Sequence, residues 1–333
     1  MSTASAAVRA SLKGRIAAPP SGLLFLNDYT TGITITNALA NAPGTRTITG
    51  TAPTMTVSSV ISTNHSGSTA TFSGYGNAGN NGSFTIVDVT GSSFTILNPA
   101  GIAEVGPAGS RIDVLGNCSA ATDLIGGRVF SQPGTSLYMF AVNKTLVPGK
   151  TVLCTGLASQ FLGRFLARSA DPTLAGALDG TQPFSMFCYI YPTGYSVQGG
   201  FTAWQQFDDG ANVSRAAARV AGASDMRCLT SNSGGTLDTL FNGFVLPVNA
   251  WQLWTVTNSG TQAQFYLDAS LRATAASAAR PRAGLNRVAL SNCANGVEGL
   301  VGTRHYRVID GAASRVMTLA EVQQLLAYCQ SVV

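Results

Sequence analysis

Short runs of alternating apolar and polar residues, broken by Gly, Asn and Ser clusters, fill this chain from residue 22 to about 310. Alternation of period two sends successive side chains to opposite faces of a strand, so each run reads as a β-strand with at least one buried face. GLLFLNDYTTG (22–32) predicts a short apolar strand running into a turn. Between residues 47 and 113 the runs become brief and Thr-rich, as in TITGTAPTMTVSSV, STATFSG and GSFTIVDVTGSSFTIL. These predict a small all-β module. From residue 120 the strands lengthen and aromatics return, in SLYMFAV, PFSMFCYIYP, GGFTAWQQF, WQLWTVT and AQFYLDA. Many closely spaced strands without an internal repeat predict a sandwich or jelly roll.

The stretch AWQLWTVTNSGTQAQFYLDASL (250–271) reads as two strands around an Asn258-Ser259-Gly260 turn. Trp251, Leu253, Thr255 and Thr257 share one face of the first strand, and Gln252, Trp254, Val256 and Asn258 share the other. On the return strand Ala263, Phe265 and Leu267 alternate with Gln262, Gln264 and Tyr266. Trp254 and Val256 are the core candidates. One helix closes the chain: Thr318 and Glu321 form a capping box, and Leu319, Val322, Leu325, Leu326 and Cys329 fall on one face.

Charge changes this picture. Only 11% of residues are charged, against roughly 25–35% on an ordinary soluble surface. The exterior must therefore be Ser, Thr, Gly, Ala and Asn. Such a surface suits either coverage by neighbouring subunits or a secreted-type polar β protein. Arg9, Lys13 and Arg15 precede the first acid, Asp28, so residues 1–20 read as a basic arm closed by Pro19-Pro20 that orders on a partner. Three charges are too few to argue nucleic-acid binding. No apolar run approaches the roughly 20 residues of a membrane helix, and Leu23–Leu26 is short for a signal-peptide core. A soluble chain outside the usual export route is expected. The six Cys show no metal-site spacing, and Cys188 and Cys329 fall on apolar positions, so free buried thiols made in a reducing cytoplasm are expected.

Candidate chemistry is sparse. Gly74-Tyr75-Gly76-Asn77-Ala78-Gly79 satisfies a dinucleotide pattern, but a strand run rather than a helix follows, so it reads as a loop. Glycoside hydrolysis needs two carboxyl groups flanking the bond. The three Glu (104, 298 and 321) have no second acid within four residues, and the expectation is no enzyme and no catalytic residue. His65 and His305 are too few for a triad or a histidine metal site. Asp208-Asp209-Gly210, after Trp204 and Phe207, is the best site candidate: Asp208, Asp209 and Asn212 could hold calcium through oxygens, and Trp204 could stack on a sugar. The same Asp-Gly also specifies a plain hairpin turn.

PFSMFCYIYPT (183–193), WQLWTVTNSGTQAQFYLDASL (251–271), LNRVAL (285–290) and RHYRVIDGAASRVMTLAEVQQLLAY (304–328) resemble, in order and spacing, the concanavalin A-like lectin/glucanase fold, closest to its laminin G-like branch. Ala269 departs from the Gly that usually follows the Asp of that hairpin, and Tyr189 from the usual Trp. The resemblance implies an all-β jelly-roll sandwich with a short C-terminal helix. Residues 21–46 would hold its first strands, 47–113 an inserted β module, and 114–333 the jelly roll. GNNGSFTIVDVTGSSFTILNPAG (79–101) is similar to short β modules of tailed-bacteriophage structural proteins. That implies a non-enzymatic virion protein, assembled in the host cytoplasm: a capsid decoration, head fibre or tail-associated component. Its partners would be a major capsid or tail protein and further copies of itself. The alternative is a carbohydrate-binding adhesin or receptor-binding fibre domain meeting a surface glycan. Neither reading needs a cofactor, a metal, a specific nucleic acid or a membrane.

Overall fold

The structure is a computed structural model that describes residues 17–39, 46–59, 68–90, 92–131, 140–143, 146–147, 150–156, 166–168, 171, 174, 177–178, 183–195, 197–198, 202–209, 215–277, 284–290, 299–300 and 304–333. Its centre is an antiparallel sheet in the order Phe25–Asp28, Arg304–Ala313, Phe184–Pro192, Gln252–Asn258, Gln262–Leu267, Ser270–Ala276. A second antiparallel sheet faces it, in the order Arg111–Thr122, Val129–Ser131, Leu166–Arg168, Arg287–Leu290, Thr202–Asp208, Arg215–Gly222, Asp225–Asn232, Gly235–Phe241. The strands Phe140–Asn143 and Val152–Gly156 carry the ladder from one sheet to the other.

The first sheet is covered on both faces, which explains why its strands read as almost continuous apolar runs. Along Phe184–Pro192, residues Phe184, Met186, Cys188 and Ile190 enter the core between the sheets. Phe187 and Tyr189 point the other way, into a second cluster under the helix Leu319–Val332. The two Trp of the hairpin divide in the same manner. Trp254 lies wholly inside the sandwich, and Trp251 stacks on Tyr189 on the outer side at 5.4 Å. At Gly311 a Cβ would lie 2.3 Å from the Phe187 ring, so only glycine lets that ring cross the strand.

The capping box forms as the sequence predicts, with Thr318 Oγ1 accepting from Glu321 N and Glu321 Oε2 accepting from Thr318 N. Val322, Leu325 and Cys329 are buried. Leu319, expected on the same face, is 48% exposed. It is the first helical residue and precedes the turn that meets the sheet; Tyr328 and Val332 complete the buried stripe instead. Residues at the end of the predicted arm belong to this packing. Ala17 lies against the outer cluster, and Gln324 Nε2 donates to the carbonyls of Ala18 and Pro19. Arg9, Lys13 and Arg15 lie outside the described residues.

Residues 47–113 have a core of their own, including Ile48, Met55, Phe72, Ile86, Phe94 and Ile96. The module shares a strand with the sandwich: Arg111–Thr122 puts Ile112 and Val114 into the module core, and Cys118 and Ala121 into the sandwich core. The 74–79 glycine loop is a loop, followed by the strand Gly82–Val89. It is tied by the Glu104 carboxylate, which accepts from Gly76 N (2.6 Å), Asn77 N (3.2 Å) and Asn80 Nδ2 (2.7 Å). Gly79 is required there, because a Cβ would sit 2.2 Å from the Ala100 carbonyl oxygen.

The hairpin turn at Asp268-Ala269 uses two left-handed residues, with φ of 49° and 59°, as a two-residue type I′ loop demands. Asp268 tolerates this and its Oδ1 accepts from Leu253 N at 2.8 Å, but alanine in that region carries strain of roughly 1–2 kcal/mol. Ala269→Gly is expected to raise stability by about 1 kcal/mol in denaturant titrations; a loss of stability would show the turn to be unstrained. Burial pushes the Glu104 carboxyl upward, but its three donors outweigh that and hold it below the usual carboxylate range. A lowered folded value contributes stability that is present above the unfolded value and lost as pH falls through the folded one. Glu104→Gln is therefore expected to destabilise the module at neutral pH, with the difference from wild type shrinking in acid, measured by hydrogen exchange at the 74–82 amides.

Candidate functional site

The predicted Trp-Asp site falls on the strand Thr202–Asp208 and its exit. A bulge between Ala203 and Gln205 turns Trp204 into the core. There it is 2% exposed, donates Nε1–H to Met226 Sδ at 3.2 Å and meets Trp254 edge-on at 6.3 Å. It presents no face to a sugar ring. Asp208 is fully buried, ion-paired to Arg287 Nε at 2.7 Å and hydrogen-bonded by Gln206 Nε2 at 2.8 Å. Both carboxylate oxygens are thus engaged by the fold. Asp209 is half-buried at the strand exit, and Asn212 lies outside the described residues. Asp208 pairs with Arg215 on the neighbouring antiparallel strand, and Gly210, with the rest of 210–214, lies outside the described residues.

The most elaborate polar constellation is one that sequence reasoning missed. Arg307 and Asp310, three apart on the strand Arg304–Ala313, would point to opposite faces of a regular strand. A bulge opposite Tyr189/Ile190 removes one residue from the register, since Ile309 pairs with Tyr189 and Arg307 with Ile190. Both side chains consequently enter the sandwich interior, where Arg307 Nη2 binds Asp310 Oδ1 and the Trp204 carbonyl oxygen at 3.1 Å. Tyr29 donates its hydroxyl to Asp310 Oδ2 at 2.7 Å. Burial pushes the Asp310 carboxyl up to about 6, against the pull of Arg307 and Tyr29. Burial, with Arg307 adding to it, holds His305 down to about 3, a neutral imidazole. Arg307, Asp310 and Tyr29 are at most 2% exposed, so this is a structural ionic centre beyond the reach of a polymeric substrate. The readable signal was the charge itself, in a strand otherwise bound for a core.

Other acids are likewise committed to the fold. Asp123 accepts from the backbone amides of Leu26, Ile125 and Gly126 and from Arg128. Asp28 accepts from Thr30, and Glu321 from Arg315 and the helix cap. Among the described residues no group of three or more His, Cys, Asp or Glu could hold a metal ion. The Cys118, Cys188, Cys228 and Cys329 thiols are buried and in no disulfide, and burial raises that of Cys188 to about 12.

Two features remain available at the surface. On the outer side of the first sheet, Trp251 and Tyr191 are half-buried and meet edge-on at 5.6 Å, with Tyr306 beside Tyr191 at 6.1 Å. On the inserted module, the sheet of Thr47–Thr51, Thr54–Ser58, Ser93–Leu97 and Gly82–Val89 aligns Thr49, Thr56, Thr95 and Asp88 in one row. Thr51, Thr54 and Leu97 form the next. Elsewhere on the module Thr71 and Ser83 pair with hydroxyls 2.9 Å apart. Residues 47–113 contain only four charged side chains, Asp88, Glu104, Arg111 and Asp113, of which Arg111 and Asp113 form a pair. The module's described surface is poor in charge and mixes Ser and Thr hydroxyls with exposed Val87, Leu97, Ile102 and Val105.

Comparison with curated proteins finds no match. Solved structures of similar shape include the botulinum neurotoxin serotype G binding domain, at 15% identity and TM-score 0.42, covering 61% of this chain and 49% of that one. Another is the binding domain of botulinum neurotoxin DC in complex with rat synaptotagmin II, at 11% identity and TM-score 0.42, covering 62% and 50%. This chain spans about half the length of those it matches. A laminin G family model matches residues 168–303. The description of that model is concanavalin A-like lectin/glucanases superfamily, and it is residues 168–303 that are similar to it.

Proposed function

We propose that this lectin-like jelly roll is a non-enzymatic structural component of a bacteriophage virion, acting as a capsid decoration, head fibre or tail-associated protein. The observation that carries the reading is the scarcity of charge on the inserted module, four charged side chains in residues 47–113. Covering such a module removes few ions from water, and interface cores are depleted of charge for that reason. Partners would be a capsid or tail protein and further copies of this chain. Arg9, Lys13 and Arg15 would meet acidic groups of the partner. The engagement of the carboxylates in the fold supports a role without catalysis.

A second reading, glycan binding, is favoured by one observation, the half-buried Trp251 and Tyr191 on the outer side of the first sheet. Aromatic rings with an apolar face and a polar edge suit recognition of sugars.

Two measurements test these readings. Deleting residues 2–16, which stops short of the Ala18 and Pro19 contacts with the helix, is expected to leave the melting temperature within about 2 °C. The same deletion should reduce incorporation into particles at least tenfold; normal incorporation would remove the arm from the proposal. On a glycan array, a virion scaffold gives no response. Binding that falls tenfold or more in Trp251→Ala, with the fold intact by circular dichroism, would instead establish the glycan reading.

A further inference from the structure

Inside the sandwich, three side chains carry polar atoms with no partner among the described residues: both amide atoms of Asn27, both of Gln205, and Nε of Arg307. All three residues are at most 1% exposed. Buried amides and guanidinium N–H groups are almost always hydrogen-bonded, to protein or to ordered water. The fold brings the three together. Asn27 shares the inward face of its strand with Phe25 and Tyr29, and it stands opposite Asp310 in the ladder. From the facing sheet, Phe207 packs on Phe25 with ring centroids 6.2 Å apart, while the Trp204 carbonyl oxygen receives Arg307 Nη2. Gln205 lies between those two contacts on its strand. It therefore faces the part of the first sheet where Asn27 and Asp310 stand side by side.

We propose that the two sheets enclose a hydrated polar chamber, in which ordered water bonds the Asn27 and Gln205 amides and Arg307 Nε. The chemistry of the lining selects the occupant. Two carboxamides each present a donor and an acceptor, and Arg307 adds a donor, so the occupant must both give and accept hydrogen bonds. It must also be neutral, because the Arg307 charge is already matched by Asp310. It must be small, since the lining is closed to solvent. Water meets all three conditions and typically makes about three bonds in such sites.

Two measurements on the full chain decide this. A high-resolution crystal structure is expected to show ordered density within about 3 Å of the Asn27 and Gln205 amides. A direct bond between the two amides, or an unoccupied contact, overturns the proposal. Water relaxation dispersion in solution is expected to report long-lived internal water, with at least one such molecule lost in Gln205→Leu and in Asn27→Leu. An unchanged count in both folded variants overturns it. Should either variant fail to fold, the wild-type density and dispersion still decide the matter.

Discussion

The pairing of the strand Arg304–Ala313 is the constraint on which the rest of the molecule depends. One edge carries Phe184–Pro192 along most of its length, and the other carries Phe25–Asp28 and Val152–Gly156 in succession. Its outer face lies under the helix through Val308 and Ile309, and its inner face holds Arg307 and Asp310 in the sandwich. No strand so placed can slip by one residue, because a slip would exchange an ion pair for aliphatic side chains on each face. Removing one member of a buried pair generally costs about 3–5 kcal/mol, since the other is left charged and unpaired. The pair is thus better understood as a lock on register than as a source of net stability.

The same logic explains where the few charges went. Asp310, Asp208 and Asp123 lie inside, holding strands and turns by ion pairs and backbone amides. The inserted module, by contrast, meets solvent with few charges, through threonine and serine hydroxyls and exposed Val87, Leu97, Ile102 and Val105. The described exterior is poor in charge and mixes Ser and Thr hydroxyls with exposed aliphatic side chains such as Ile102, Val105 and Val245. Trp251 and Tyr191 are the exception, a compact aromatic feature on the outer side of the first sheet.

Local signals in the chain were sufficient for local structure. The period-two runs around Asn258-Ser259-Gly260 formed the hairpin, Asn258 opposite Ala263, with Trp254 and Val256 in the core as expected. The Thr318/Glu321 box started the helix where the side chains can satisfy free amides. A strand rather than a helix follows the 74–79 glycines, as the alternation there predicted. The concanavalin A-like likeness was legible because three of its four motifs lie on the central sheet and the covering helix, and the fourth, LNRVAL, on the facing sheet.

What the chain could not disclose depends on bulges and on coverage from a distance. Trp204 looked available for stacking because alternation alone does not reveal the bulge that turns it inward. Arg307 and Asp310 looked like residues on opposite faces for the same reason. The double burial of the first sheet, the exposure of Leu319 and the strand shared between module and sandwich each require knowing which distant segment packs where. Sequence periodicity therefore determined the elements, the hairpin and the helix cap, all governed by contacts between near neighbours. Only the tertiary structure decided which faces became interior, because burial is a property of the partner that covers a face, and those partners can lie 300 residues away along the chain, as Tyr328 does from Asp28.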